Sequence, residues 1–333
     1  MHGFLDPAVL FFIFGVIAGT VKSNLEIPPQ ISRFLSLYLL MALGLKGGFA
    51  LARSGFGGEI AVTLAIAVAL AVIVPLLGYH LLKRFLSGFD AAAIAATYGS
   101  VSAVTFITAT QYLDSHQIAY GGHMAAAMAL MESPAIVIAV LLANSVRQSA
   151  SAIVPGTSGA ALRAFGGRQG GTSIGKLLHE SFTDGAQLLL LGALAIGMLT
   201  GEAGEAAMQP FSGDLFKGML ALFLLDMGLL ASRSMSGLKG RSPLFLVYAL
   251  AAPLVHAALA LALALTFGIS PGNTALLMVL AASASYIAVP AAIRYAIPEA
   301  NPTLYIGMSL ALTFPFNIIF GIPLYTWVAT LAA

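Results

Sequence analysis

The sequence predicts an all-α polytopic membrane protein: ten transmembrane helices in two inverted five-helix repeats, with the fourth and ninth helices broken. Three observations carry this. Apolar residues make up 59% of the 333 and charged residues 8%, with a mean hydropathy of +0.95, far from the roughly 25% charged content of a soluble domain. Apolar stretches long enough to cross a hydrocarbon core recur along the chain. Two Ser-x-Ser breaks, Ser100-Val101-Ser102 and Ser283-Ala284-Ser285, interrupt such stretches at nearly matching distances into two similar halves.

In chain order, the spans of the first half fall at 7–21, 31–48, 59–80, 90–113 and 119–144. Those of the second fall at 181–199, 211–232, 243–267, 273–296 and 302–331. The first has no basic region before it and no cleavage site after it, so it reads as a retained span. The runs are too long, and alternate too little, for a β-barrel. Residues 1–144 thus form the first repeat and 181–333 the second. Between them, 145–180 is a Gly-, Ser-, Ala- and Arg-rich linker.

Lys and Arg orient the chain. The loops after odd-numbered spans hold 12 of the 15 bases, leaving Lys46, Arg53 and Lys217 opposite. The positive-inside rule then places both termini outside and the linker in the cytoplasm. There the linker is either a plain connector or a docking surface for a regulatory protein.

A shift of 184 residues carries Gly44-Leu45 onto Gly228-Leu229, span 59–80 onto 243–264 and span 119–144 onto 303–328. A shift of 183 aligns the two Ser-x-Ser elements. Five spans per repeat is an odd number, so the second repeat is inverted, as in many transporters.

Several classes are excluded. Cysteine is absent, which removes disulfides and thiol chemistry. The net charge of +2 is dispersed through short loops and indicates no nucleic-acid partner. No phosphate loop, catalytic triad or metal-ligand spacing is present, so the chain is not read as an enzyme and needs no cofactor. Flux is then passive or driven by an ion gradient.

The breaks carry the chemistry. Around the first stand Gly99, Ser100, Ser102 and Thr105; around the second stand Ser283, Ser285, Tyr286 and Pro290. If both helices are interrupted, two half-helix N-termini offer N–H groups and positive dipole ends to a small anion. Carbonyls and hydroxyls suit Na⁺. The plainer alternative is that the serines bond one turn back and let helices pack closely. Glu132, in Leu130-Met131-Glu132-Ser133-Pro134, lies mid-span, where a carboxylate is costly and either functional or paired. Its repeat position falls near Asn317, again beside a proline. Glu132, Ser102, Ser285 and Asn317 are the candidate Na⁺ ligands. Asp226 is a further intramembrane acid, and His256 reads as a packed, hydrogen-bonded residue.

These motifs are similar to those of the sodium-dependent bicarbonate transporter family of the cyanobacterial type. The likeness lies in Tyr98-Gly99-Ser100-Val101-Ser102-Ala103-Val104-Thr105, Met131-Glu132-Ser133-Pro134 and Ala252-Pro253-Leu254-Val255-His256. It extends through Ala281 to Pro290 and Tyr305 to Leu324. The resemblance implies a core of helices 3–5 and 8–10 and a gate of helices 1, 2, 6 and 7. It also implies a homotrimer in the bacterial cytoplasmic membrane and a cytoplasmic PII-like regulator. Bicarbonate would lie at Gly99, Ser100, Ser102, Thr105, Ser283, Ser285 and Tyr286, with Na⁺ as coupling ion. The chain departs from the family at Tyr286, where the family has an acid, and at Ala103-Val104, where it has Gly-Ser. The alternative is therefore a permease for another small organic or inorganic anion, proton-coupled or uncoupled.

Overall fold

The computed structural model describes residues 6–55, 57–152, 185–235 and 242–332; every regular element among them is helical. Seven helices are long and apolar enough to cross a membrane, and Pro7–Thr20 and Pro271–Ala282 are shorter apolar helices.

Local sequence sets the helix starts. α1 (Pro7–Thr20), α2 (Pro29–Ser54), α9 (Pro243–Thr266), α10 (Pro271–Ala282) and α12 (Pro302–Ala332) all open on proline. Its missing N–H costs nothing there, and its fixed φ suits a first turn. Side chains cap several starts: Asp6 accepts the Ala8 N–H at 2.8 Å, and Ser87 accepts that of Asp90 at 3.1 Å to open α4 (Gly88–Gly99). Between them lies α3 (Gly58–Leu82), and α5 (Ala103–Ser115) follows α4.

α6 (Met124–Ala152) starts five residues later than the predicted span at 119. The Gly121 N–H is committed to Asn273 Oδ1 at 2.7 Å, and a Cβ on Gly122 would strike the Gly47 carbonyl, so this stretch serves its neighbours instead of a helical turn. At its other end α6 continues to Ala152, into the predicted linker; residues 153–180 of that linker lie outside the described residues.

The predicted spans 181–199 and 211–232 correspond to one 51-residue helical run, Gly185–Met235. A π-helical turn over Gln209–Asp214 divides it into α7 (Gly185–Met208) and α8 (Phe216–Met235), and Gly201, non-helical at φ 54°, kinks α7 between the two predicted spans. α11 (Ala288–Ala296) follows α10. α12 carries π-helical turns at Gly307–Thr313 and Asn317–Gly321, around Pro315 and just before Pro323, residues that cannot donate to the helical ladder.

α1 packs on α8 and α2 on α7, each pair crossing at glycines. A Cβ on Gly15 would run into the Leu225 carbonyl, and one on Gly228 into that of Phe12. Gly48 and Gly197 bring α2 and α7 equally close. Backbone approach of this kind is what small residues provide between helices in lipid. α3, α4 and α6 pack on one another, α9 on α10, and α10 on the last turns of α12.

Candidate functional site

Both Ser-x-Ser elements are breaks. α4 ends at Gly99, Ser100 (φ −100°, ψ −177°) and Ser102 (φ −106°, ψ 111°) are extended, and α5 begins at Ala103. α10 ends at Ala282, Ser283 (φ −76°, ψ 162°) is extended, and α11 resumes at Ala288. Pro290 then sits in the first turn of α11, where its missing N–H is harmless.

The two breaks are bonded to each other. The Ser102 N–H donates to Ser283 Oγ at 3.0 Å, and the Ser285 N–H donates to the Thr97 carbonyl at 2.8 Å. All four serines are buried, between 1% and 4% exposed. Backbone freed by each interruption is thus satisfied by the other, as water-free surroundings require.

A cavity of about 370 Å³ opens beside the crossing, between the breaks and α2, α6 and α7. Ser102, Ser285, Tyr286 and Glu132 line it. Ser102 Oγ accepts the Thr105 N–H at 3.2 Å, and Ser285 Oγ accepts the Val289 N–H at 3.3 Å. Each hydroxyl spends acceptor capacity on the backbone; that of Ser102 is also hydrogen-bonded to the Tyr286 hydroxyl, while Ser285 has no other partner among the described residues. The N–H groups of Ala103 and Val104, both lining residues, have no hydrogen-bond partner among the described residues. No Lys or Arg among the described residues lines the cavity. It therefore offers hydrogen-bond donors, one carboxylate and no fixed cation.

The remaining predicted residues stand behind the wall. Gly99 is packed so tightly on the Pro75 ring of α3 that a Cβ would lie 2.6 Å from it. Ser100 Oγ donates to the Glu132 carbonyl at 3.2 Å. Ser283 Oγ donates to the Leu280 carbonyl at 2.8 Å while accepting from Ser102. Thr105, 1% exposed, contributes its capped N–H. Asn317 donates to the Ala282 carbonyl at 2.8 Å and accepts from the Tyr325 hydroxyl at 3.0 Å, so its amide closes the end of α10 and does not line the cavity. His256 is hydrogen-bonded to the backbone of Ala281, one residue earlier.

Tyr286 lines the cavity with its ring 5.0 Å from that of Phe314 and its hydroxyl 3.7 Å from Met227 Sδ. Asp226 is buried off the cavity, with Oδ2 unpartnered among the described residues. Ser36 of α2 and Gln187 of α7 line the cavity but were missed from the sequence. Their only signal was a polar side chain within an apolar span. Among the described residues no group of three His, Cys, Asp or Glu could hold a metal ion.

The sequence model of the Na⁺-dependent bicarbonate transporter superfamily matches residues 7–330. The chain belongs to that superfamily. It is a multi-pass membrane protein of a transporter family, not an enzyme. No curated protein matches it.

Proposed function

We propose that the protein is a sodium-coupled secondary transporter that takes up bicarbonate across the bacterial cytoplasmic membrane by alternating access. The observation that carries this is the pair of mutually bonded breaks facing Glu132 in a cavity that no Lys or Arg among the described residues lines. Glu132 with the Ser102 and Ser285 hydroxyls supplies hard oxygen ligands of the kind Na⁺ takes, beside helix N-termini that suit an anion.

In this reading ten spans form two inverted repeats, with both termini outside. The gate comprises α1, α2, α7 and α8; the core comprises α3–α6 and α9–α12. Asymmetric access supports it. The cavity is lined by Ser36 and Gln187, near the cytoplasmic starts of α2 and α7 in the predicted topology. Further along α2, Lys46 of the gate pairs with Asp114 of the core at 3.8 Å. The outer side would be latched while the inner side is open. Assembly as a homotrimer, and a PII-like regulator at the linker, rest on family resemblance.

The test is labelled bicarbonate uptake into proteoliposomes at fixed pH, with and without an inward Na⁺ gradient. Sodium-stimulated uptake that disappears in the Ser102→Ala/Ser285→Ala variant is expected. Uptake indifferent to Na⁺ would instead favour the uncoupled or proton-coupled permease, a reading to which Tyr286 and Val104 on the wall lend weight.

A further inference from the structure

The donors at the cavity wall can be counted against a ligand. Two backbone N–H groups, from Ala103 and Val104, and the Ser285 hydroxyl make three, with the Ser102 hydroxyl shared with Tyr286 as a fourth that must turn to the ligand. A carboxylate has two oxygens with about four lone-pair sites. Bicarbonate carries a third oxygen, a hydroxyl, for which the Glu132 carboxylate on the same wall is an acceptor, so its three oxygens need only the polar end of the cavity.

Beyond the donors the wall turns apolar: Val101 sits within the first break, Val104, Tyr286 and Ile287 follow the two breaks, and Leu40 and Met128 also line the cavity. The space exceeds what bicarbonate fills. Four non-hydrogen atoms displace roughly 60–90 Å³, two or three waters' worth, against about 370 Å³ here.

We propose that this cavity takes monocarboxylates with a short aliphatic body. Their two oxygens meet the donors at the breaks, and their methylenes lie against Val101, Val104, Tyr286 and Ile287. The assignment rests on reading the cavity as the anion site, and it extends the substrate range past bicarbonate.

The experiment is calorimetric titration of the purified full-length protein in saturating Na⁺ at fixed pH and ionic strength. The ligands are bicarbonate, formate, acetate, propanoate, butanoate and pentanoate. Each buried methylene is expected to tighten binding about fourfold. Val104→Ser is expected to flatten the series, and Ile287→Ser, on an exposed residue of the same wall, provides the same test if the first variant does not fold. Ser102→Ala/Ser285→Ala is expected to bind none of the acids.

If bicarbonate binds through the two serines while the longer acids bind no tighter than formate, the proposal is overturned and the anion site stands. If the series rises unchanged in the double serine variant, the acids bind elsewhere. The site assignment then fails, and this inference fails with it.

Discussion

Asp90 and Asn273 perform the same task in opposite halves. Asp90 Oδ1, near the start of α4, accepts the backbone N–H of Asn301 at 2.8 Å, where α12 begins. Asn273 Oδ1, near the start of α10, accepts the N–H of Gly121 at 2.7 Å, just before α6. The 183-residue shift that aligns the Ser-x-Ser elements carries Asp90 onto Asn273. Each broken span is thereby tied, at its entry, to the span that follows the other break. Asn273 is also held by Glu59 Oε1 at 2.9 Å. Asn273→Ala leaves both the Gly121 N–H and Glu59 short of a partner and is expected to cost about 1–3 kcal/mol. Asp90→Asn keeps Oδ1 and is expected to cost less than Asp90→Ala. Melting temperatures in detergent check both; equal losses for Asp90→Asn and Asp90→Ala would show that the Asn301 bond contributes nothing.

Glu132 is the only acid among the described residues on the wall of the main cavity. Glu132→Gln keeps the shape and removes the charge. Uptake is expected to lose its sodium stimulation by at least about tenfold, corresponding to some 1.4 kcal/mol of coupling, while the melting temperature moves little. Undiminished sodium stimulation in this variant would remove Glu132 from the cation site.

The breaks were legible because two Ser-x-Ser pairs fall at matching places in the two halves, whereas single prolines such as Pro75, Pro134 and Pro253 sit inside continuous helices; Glu132 was legible because a mid-span carboxylate is rare. Which polar residue faces the cavity was not legible. Some 94% of the apolar window of Gly88–Ser115 is buried inside the protein, so no wet or lipid face marks its orientation. Gly99 therefore read as a ligand-site glycine, although its lost side chain makes room for Pro75. Asn317 read as a cation ligand, although it caps Ala282. Ser36 and Gln187 passed as ordinary polar residues because nothing in their own helices foretells which helices converge on the breaks.

Glu299 lies in the loop between α11 and α12, and the Arg147 guanidinium grips both its oxygens, at 2.8 and 2.7 Å. Those bonds hold its carboxyl below the usual glutamate range. A depressed folded pKa means that the stabilisation is complete above the unfolded value of about 4.3 and is lost as pH falls through the folded value. Stability between pH 5 and 8 should owe no slope to this group. The side chains are 34% and 38% exposed, so water screening limits the pair to less than about 1 kcal/mol. Glu299→Gln should therefore lower the melting temperature slightly and equally across that range. Arg147→Ala should cost more, because Arg147 also donates to Asn144 Oδ1 and the Ala296 carbonyl. A Glu299→Gln deficit that grows from pH 5 to pH 8 would contradict this assignment.

Because the chain has no cysteine, single-cysteine variants can be labelled without background. Ala291 lines the main cavity, and Ala50 lines the second, beside Lys46 and Asp114. A membrane-impermeant thiol reagent is expected to reach Ala291→Cys from the cytoplasmic side and Ala50→Cys from the outside. The Lys46–Asp114 pair, with side chains 31% and 40% exposed, should contribute about 0.5–1 kcal/mol to holding the outer side shut. Removing it with Asp114→Asn should shift the population toward the outward-facing state. Labelling of Ala291→Cys from the cytoplasm should then slow, by at most about two- to fivefold, since such an energy changes the equilibrium constant by that factor and the inward-facing fraction by no more. A background substitution away from both cavities should leave the rate unchanged. Labelling of Ala291→Cys from the outside alone would invert the proposed topology, and an unchanged rate in Asp114→Asn would show that the pair is not a latch.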